Sequence, residues 1–324
     1  LKHVLVTGGS GLVGHFLLQR LLATGCKVTA LYRQTGSELT HPNLHWVQGD
    51  ILDPMLINSL VQQVEEVYHC AGFVSYAPQD AALLRQINVE GTTNIVDACL
   101  EKTGVRLCHV SSIAAINRKK GDKTIQEDAK WDPVVERSMY ASSKHFAEME
   151  VWRGISEGLK AVIVNPSVIL GPRDMERSST QLFKYISEER AFYTHGYANF
   201  VDVRDVTEAM LRLMNGNHWG ERFIINGHQV SYLQFFQKVA ALMGKKAPFL
   251  KVPDWLAEVL WRVERVRGAI TGTKPLITKE TARIAKEEHF YSNEKIKAAT
   301  GLTFRSLEDT LRWSCGQLAK AGSS

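Results

Sequence analysis

Val4-Leu-Val-Thr-Gly8-Gly-Ser-Gly11-Leu-Val-Gly14 opens the chain with a short apolar run that ends in a glycine-rich turn and passes at once into helical periodicity. Gly8, Gly11 and Gly14 recur at every third position. Glycine lets the chain turn sharply out of a strand, lets its backbone approach a pyrophosphate, and lets the next helix lie close to the sheet. The N–H groups at the helix start, at Gly11, Leu12 and Val13, then face the phosphates. The spacing is GxxGxxG rather than GxGxxG, so the turn taken alone also fits a tight strand-to-helix connection with no ligand.

Outward from this turn, strand-like and helical segments alternate. Strands are expected over Lys2 to Thr7, Lys27 to Tyr32, Leu44 to Gln48, Glu66 to Cys70 and Arg106 to Ser111, with helices over Gly11 to Ala23, Pro54 to Gln63 and Asp80 to Glu101. The alternation predicts an α/β chain with a doubly wound parallel sheet and right-handed crossovers. A polar loop, Asn117 to Pro133, is long enough to wall an active site. A helix over Val135 to Glu157 and a buried strand, Ala161 to Asn165, ended by Pro166, complete a dinucleotide-binding domain over residues 1–172. Segments near 200–226 return to it: Phe200 to Asp205 precedes a helix from Val206 to Met214, and Arg222 to Asn226 reads as a strand. Residues 173–199 and 227–324 are expected to form a smaller, mainly helical, substrate-binding lobe. It holds a helix over Ser231 to Met243 with Ser231 as N-cap, then Trp255, Leu256, Val259, Leu260 and Val263 at helical spacing. Trp255 or Trp261 could line a ligand, but such stripes are usually core.

Composition excludes several classes. A net charge of +5 over 324 residues is small, so no nucleic-acid partner is expected, and Arg118-Lys119-Lys120 and Lys245-Lys246 read as solvated surface. No run is long and apolar enough to span a membrane, and no membrane partner is expected. Cys26, Cys70, Cys99, Cys108 and Cys315 are odd in number and contain no CxxC pair, which suggests reduced thiols in a cytoplasmic protein. His41 with His45, and His69 with Cys70, lack a complementary pair of ligands, so no metal is expected.

Tyr140-Ala-Ser-Ser-Lys144 carries the chemistry. Tyr and Lys four apart share one helix face, and a nearby ammonium favours the phenolate of a tyrosine that is otherwise a poor acid–base group at neutral pH. Ser111-Ser112 ends the fifth strand, the sheet edge at which ligands of open α/β sheets bind. A hydroxyl there could polarise a carbonyl while Tyr140 moves the proton; as a bare turn former, Ser112 would do neither.

Gly8/Gly11/Gly14, Gly49-Asp50, Cys70-Ala71-Gly72, Asn88-Val-Glu-Gly91-Thr92, Val110-Ser-Ser-Ile, Tyr140-xxx-Lys144 and Asn165-Pro-Ser-Val-Ile-Leu-Gly171-Pro172 occur in that order. The set resembles the extended short-chain dehydrogenase/reductase family, nearest its dihydroflavonol reductase and 3β-hydroxysteroid dehydrogenase branch. The resemblance implies a Rossmann-type sheet, with Tyr140 as general acid/base, Lys144 binding the nicotinamide ribose and tuning Tyr140, and Ser112 orienting the substrate oxygen. It further implies that Asp50 and Ile51 flank the adenine, that Ala71 and Gly72 line the cofactor, and that Pro166 to Val168 pass the nicotinamide carboxamide. Asn88 reads equally as a site residue or as a cap or bridge for neighbouring strands. A homodimer through the helices Asp80 to Glu101 and Val135 to Glu157 is implied by resemblance alone.

The second strand ends Ala30-Leu31-Tyr32-Arg33, with no carboxylate to bind ribose hydroxyls and a guanidinium available for a 2′-phosphate. NADP(H) is therefore expected over NAD(H), although Arg33 could instead stack on the adenine. Ile113-Ala114-Ala115 lacks the acidic pair of the dehydratases, and Ala198-Asn199 stands where nucleotide-sugar enzymes place an Arg, with Arg173, Arg177 or Arg204 as substitutes. The expected activity is reduction of a ketone or aldehyde, or oxidation of the alcohol. A nucleotide-sugar epimerase or reductase with tightly held NAD, and a non-catalytic NADP(H) sensor, are the alternatives. Phe73, Tyr76, Phe192, Tyr193 and Trp255 would suit an apolar or aromatic substrate or serve as packing.

Overall fold

Seven parallel strands place everything else. The computed structural model describes residues 1–34, 36, 38–118, 124–129, 131–132, 137–173, 180–253 and 289–321. In chain order the sheet takes β1 (His3–Thr7), β2 (Lys27–Tyr32), β3 (Leu44–Gln48), β4 (Glu66–His69) and β5 (Arg106–Val110). After a short strand β6 (Thr124–Ile125), it is completed by β7 (Lys160–Pro166) and, later, by Glu221–Ile225. Read across the sheet, Glu221–Ile225 is followed by β7, β5, β4, β1, β2 and β3. The winding reverses between β1 and β4, which opens a crevice above their C-terminal ends. Register there sets Thr7 beside His69, and His69 beside His109.

Both faces of this sheet are covered, so its strands read as nearly continuous apolar runs. Val4, Val6, Val28, Cys108, Val162 and Val164 pack against Leu17, Leu18 and Leu21 of α1 (Leu12–Ala23) and against Val206, Met210 and Leu213 of the helix Val203–Asn215. The alternate residues Leu5, Val67, Leu107 and Ile163 meet Ile57 of α2 (Pro54–Val61), Ile95 of the helix Gly91–Glu101, and Val151 of the helix Met139–Ser156.

Three boundaries depart from the apolar periodicity because capping and backbone geometry decide them. The rod expected over Asp80 to Glu101 is composite: a 3₁₀ turn (Pro78–Asp80), α3 (Ala81–Leu84), a π turn (Arg85–Glu90) and α4 (Gly91–Glu101). The helix expected from Val135 begins as α5 (Met139–Ser156), where the Ser138 hydroxyl accepts from Ala141 N–H at 2.8 Å. The strand expected over Phe200 to Asp205 ends at Asp202, whose carboxylate caps the next helix by accepting from Arg204 N–H at 2.7 Å. Ser231 is the N-cap of Tyr232–Met243, as expected.

Beyond β7, β8 (Val168–Leu170), Tyr197–Asp202 and His228–Ser231 form a second, three-stranded sheet. Phe183, Phe200, Phe235, Val239, Leu311 and Cys315 make a separate core behind it. The described part of the long polar loop lies along the outer strand Glu221–Ile225. The Glu127 carboxylate accepts from Ile224 N–H at 2.9 Å, and Arg222 donates to the carbonyls of Glu127 and Ala129. The loop so occupies hydrogen-bonding groups that would otherwise leave an open sheet edge. All five cysteines are free thiols. Trp255, Leu256, Val259, Leu260, Trp261, Val263 and Arg177 lie outside the described residues.

Candidate active site

The glycine turn admits nothing larger than hydrogen at two positions. Gly8 has φ of +69°, and a Cβ on it would lie 2.6 Å from Ala71 N; a Cβ on Gly14 would lie 2.2 Å from Gly8 O. Gly11 closes the turn by donating to Gly8 O at 3.0 Å, and no side chain caps α1 behind it. The turn is therefore packed backbone against backbone, and the first N–H groups of α1, at Leu12 and Val13, form a rim without a side-chain cap that suits a pyrophosphate. Arg173 extends this rim by donating to Ser10 O at 3.2 Å, a contact no motif signals.

At the end of β2, the Tyr32 ring stands edge-on to Trp46 with centroids 5.9 Å apart. Trp46 also lies under the turn, 3.1 Å from where a Gly9 Cβ would be, and its indole N–H donates to Leu39 O. Arg33 is exposed and forms no ion pair among the described residues. After β3, Asp50 Oδ1 accepts from Leu52 N–H at 3.0 Å, while Ile51 is buried against Gly91 and its carbonyl accepts from Asn94.

Ala71 and Gly72 follow β4 and are clamped from two sides. Ala71 N–H donates to Thr7 Oγ1 at 3.2 Å, which leaves the Thr7 hydroxyl hydrogen for His69 Nδ1, 2.7 Å away. The Thr92 hydroxyl donates to Asn88 O at 2.6 Å, so its oxygen accepts from His69 Nε2 at 3.1 Å. These partners fix a neutral Nε2–H imidazole, and burial, aided by the charge of Lys144, holds the His69 pKa down to about 3. With both nitrogens committed, His69 is no metal ligand. His109 lies beside it with ring centroids 5.3 Å apart and planes tilted by 36°, fully buried, with neither ring nitrogen hydrogen-bonded.

Asn88 is a bridge. Its Oδ1 accepts from Phe73 N–H at 2.7 Å, and its Nδ2 donates to Phe73 O and to Ser143 Oγ, both at 2.9 Å. Ser143 in turn donates to Tyr140 O at 2.8 Å, so the loop Ala71 to Phe73 is tied to the first turn of α5. The sequence offers His69 only as a rejected metal ligand and does not single out Ser143; the roles of both follow from register and from the π turn.

Ser112, Tyr140 and Lys144 converge above the ends of β4, β5 and β7. Tyr140 is buried, with Tyr76 edge-on at 5.6 Å. Burial raises its pKa, and its hydrogen bond with Ser112 offsets only part of that rise. Lys144 is 5% exposed and donates to Val110 O at 2.8 Å. Its Nζ stands 3.4 Å from where a Gly72 Cβ would be. Burial lowers the Lys144 pKa to about 8, against the pull of Glu148 and Cys70. The ammonium thus engages a strand carbonyl, and burial is the main influence on the phenol of Tyr140.

Ser112 Oγ also accepts from Ala114 N–H at 3.1 Å, and Ser112 O accepts from Asn165 Nδ2 at 2.9 Å. Asn165 donates as well to Glu148, which is buried and paired with Arg222 at 3.2 Å. Around these groups Ser111 Oγ, Asn165 Oδ1 and Ser167 Oγ are buried without protein partners. Unpaired buried polar atoms at this edge suit a polar ligand such as a carboxamide. Pro166 ends β7, and Val168 opens β8 opposite Phe200.

A model of the NAD dependent epimerase/dehydratase family matches residues 4–225. A provisionally named dihydroflavonol 4-reductase of Synechocystis sp. is 31% identical over 316 residues, covering 94% of this chain and 91% of the relative. The sterol demethylase protein B of Methylococcus capsulatus is 30% identical over 258 residues, 78% of each chain. Among solved structures, gox2253 superposes with a TM-score of 0.83 at 29% identity over 99% of both chains.

Proposed function

Because this chain belongs to the NAD dependent epimerase/dehydratase family of extended short-chain dehydrogenase/reductases, it is an NAD(P)-dependent oxidoreductase, and we propose that it reduces an apolar or aromatic ketone or aldehyde with NADP(H). One observation carries the reading: the buried Tyr140 phenol stands beside the Ser112 hydroxyl at the C-terminal edge of the sheet, so one hydroxyl can hold a carbonyl oxygen while the other gives it a proton. A site prepared to give a proton suits reduction, where an alkoxide must be neutralised as it forms. When bound, the dinucleotide supplies the hydride.

In this reading, Ser112 holds the carbonyl oxygen and Tyr140 delivers the proton to it. Lys144 holds the ribose next to Gly72, and the cradle of Gly8, Gly11, Leu12, Val13 and Gly14 receives the pyrophosphate. Asp50 and Ile51 border the adenine, Ala71 and Gly72 the middle of the dinucleotide, and Pro166 to Val168 its carboxamide. Exposed, uncompensated Arg33 supports the extra phosphate of NADP(H). Tyr76, and relatives named for flavonol and sterol chemistry, support an uncharged substrate. The lobe formed by residues 173–199 and 227–324 supplies its specificity. Met139, Phe146 and Met149 stand exposed on α5, which supports a homodimer through that helix.

The test is Tyr140→Phe assayed by NADPH oxidation against aldehydes, cyclic ketones and nucleotide sugars. NADPH binding within about threefold of wild type with turnover down at least about a hundredfold is expected. Retained turnover would refute the assignment of the proton to Tyr140. Turnover only with a nucleotide sugar, on protein purified with bound NAD, would replace a reductase by an epimerase.

A further inference from the structure

Far from β4 and β5, the C-terminal lobe holds large apolar side chains in water. Phe249 is 72% exposed and Leu250 43%; Phe192, the parallel-strand partner of Leu250, is 51% exposed. Backbone bonds pin them there. The N–H groups of Phe249 and Leu250 donate to Ala191 O at 2.9 and 2.8 Å, and Val252 N–H donates to Tyr193 O at 2.8 Å. Contiguous apolar exposure of this kind, held by an ordered backbone, marks an interaction surface.

Its charge is one-sided. Lys245 and Lys246 precede Phe249, Lys251 follows Leu250, and Lys238 stands one helical turn before exposed Leu242. From His228 to Pro253 the chain carries four lysines and no Asp or Glu. None of the four is ion-paired among the described residues. Of the carboxylates next to them, Glu188 pairs with Arg190 and Lys184, and Glu189 keeps its charge while accepting from Lys246 N–H at 3.0 Å, so the lysines still outnumber the acids.

We propose that this face docks on an anionic lipid bilayer, with Phe249 and Leu250 entering the boundary between headgroups and acyl chains and the four lysines meeting anionic headgroups. The two features select this occupant together. A nucleic acid could stack a base on Phe249 but would gain nothing from the exposed aliphatic side chains of Leu250 and Leu242 beside it. A second copy, facing itself across a two-fold axis, would bring the same lysines together. Docking here is peripheral; among the described residues no helix is long and apolar enough to cross a membrane. It stands independently of the proposed reductase activity, and would set the substrate lobe against a source of apolar substrate.

Sedimentation of the full chain with vesicles tests this, using phosphatidylcholine alone and phosphatidylcholine with phosphatidylserine. Binding is expected only to the serine-containing vesicles, at about 50 mM salt and not at about 500 mM. The double variant K245A/K246A should weaken binding about 25-fold, about fivefold per lysine. Phe249→Ser should weaken it about tenfold, with NADPH affinity and unfolding midpoint unchanged. The proposal is overturned by absence of binding at low salt or by binding indifferent to Phe249→Ser. A Phe249→Ser chain with a lowered unfolding midpoint, as for a residue covered by the protein itself, or with a smaller oligomer, overturns it too.

Discussion

Replacing Lys144 by Met should make the folded chain more tolerant of neutral pH while removing its activity. An isolated lysine titrates near 10.5, and burial brings Lys144 down to about 8. That lowering corresponds to about 3 kcal/mol of folding free energy, to order of magnitude. Between the two values the unfolded chain holds a proton that the folded chain has released, so this lysine makes wild-type stability rise with pH across that window. Below about 8 its burial as a cation is at its most costly. Met fills the same space without charge, but leaves Val110 O without its donor, an opposing loss of about 1–3 kcal/mol. The stability difference between K144M and wild type should therefore be small or favour the variant at pH 7, and should fall by about 3 kcal/mol as pH rises to 10.5. Urea unfolding of both chains at intervals of one pH unit measures it, since groups that titrate alike in both cancel in the difference. A difference that is flat to about 0.5 kcal/mol, or that grows with pH, would refute the reasoning.

Three further outcomes are expected. Arg33→Ala should weaken NADPH binding about tenfold and leave NADH within about twofold, by fluorescence titration, because only the 2′-phosphate loses a charge-assisted partner. Gly14→Ala places a methyl 2.2 Å from Gly8 O; it should abolish dinucleotide binding and lower stability by about 1–3 kcal/mol in the same urea assay. The double variant F146E/M149E, which puts like charges on the exposed face of α5, should sediment as a monomer in analytical ultracentrifugation if wild type is a dimer; an unchanged dimer would move the interface elsewhere.

The central sheet was legible because its strands are buried on both faces and its helices on one, so apolar runs and amphipathic periods alternate without ambiguity. The placement of Ser112 just after β5 and of Tyr140 and Lys144 on the first turns of α5 was legible because it depends only on that scaffold; their roles are proposed. What the pattern did not show depends on single hydrogen bonds. Asp202 rather than apolar spacing starts its helix, and Ser138 starts α5. The small strands of residues 168–170 and 192–193 are too short to alternate. Lys144 could be placed on the right helix face from spacing, but its bond to Val110 O needs the end of β5 in three dimensions. The hydrogen-bond partners of His69, Thr7 and Thr92, lie on two segments apart from it in sequence; the register of β1 and β4 sets the first beside it and the packing of α4 the second.

The π turn at Arg85–Glu90 has a consequence for how this chain tolerates change. It is one residue too many for an α-helix, so losing a single residue there would restore a regular ladder of hydrogen bonds. Such a deletion would rotate what precedes it by about 100° relative to α4. Asn88 would leave Phe73 and Ser143, and the tether between the loop Ala71 to Phe73 and the first turn of α5 would go with it. A more regular helix here would thus cost the three hydrogen bonds of buried Asn88, and the extra residue sits where the alignment of Asn88 with Phe73 and Ser143 depends on it.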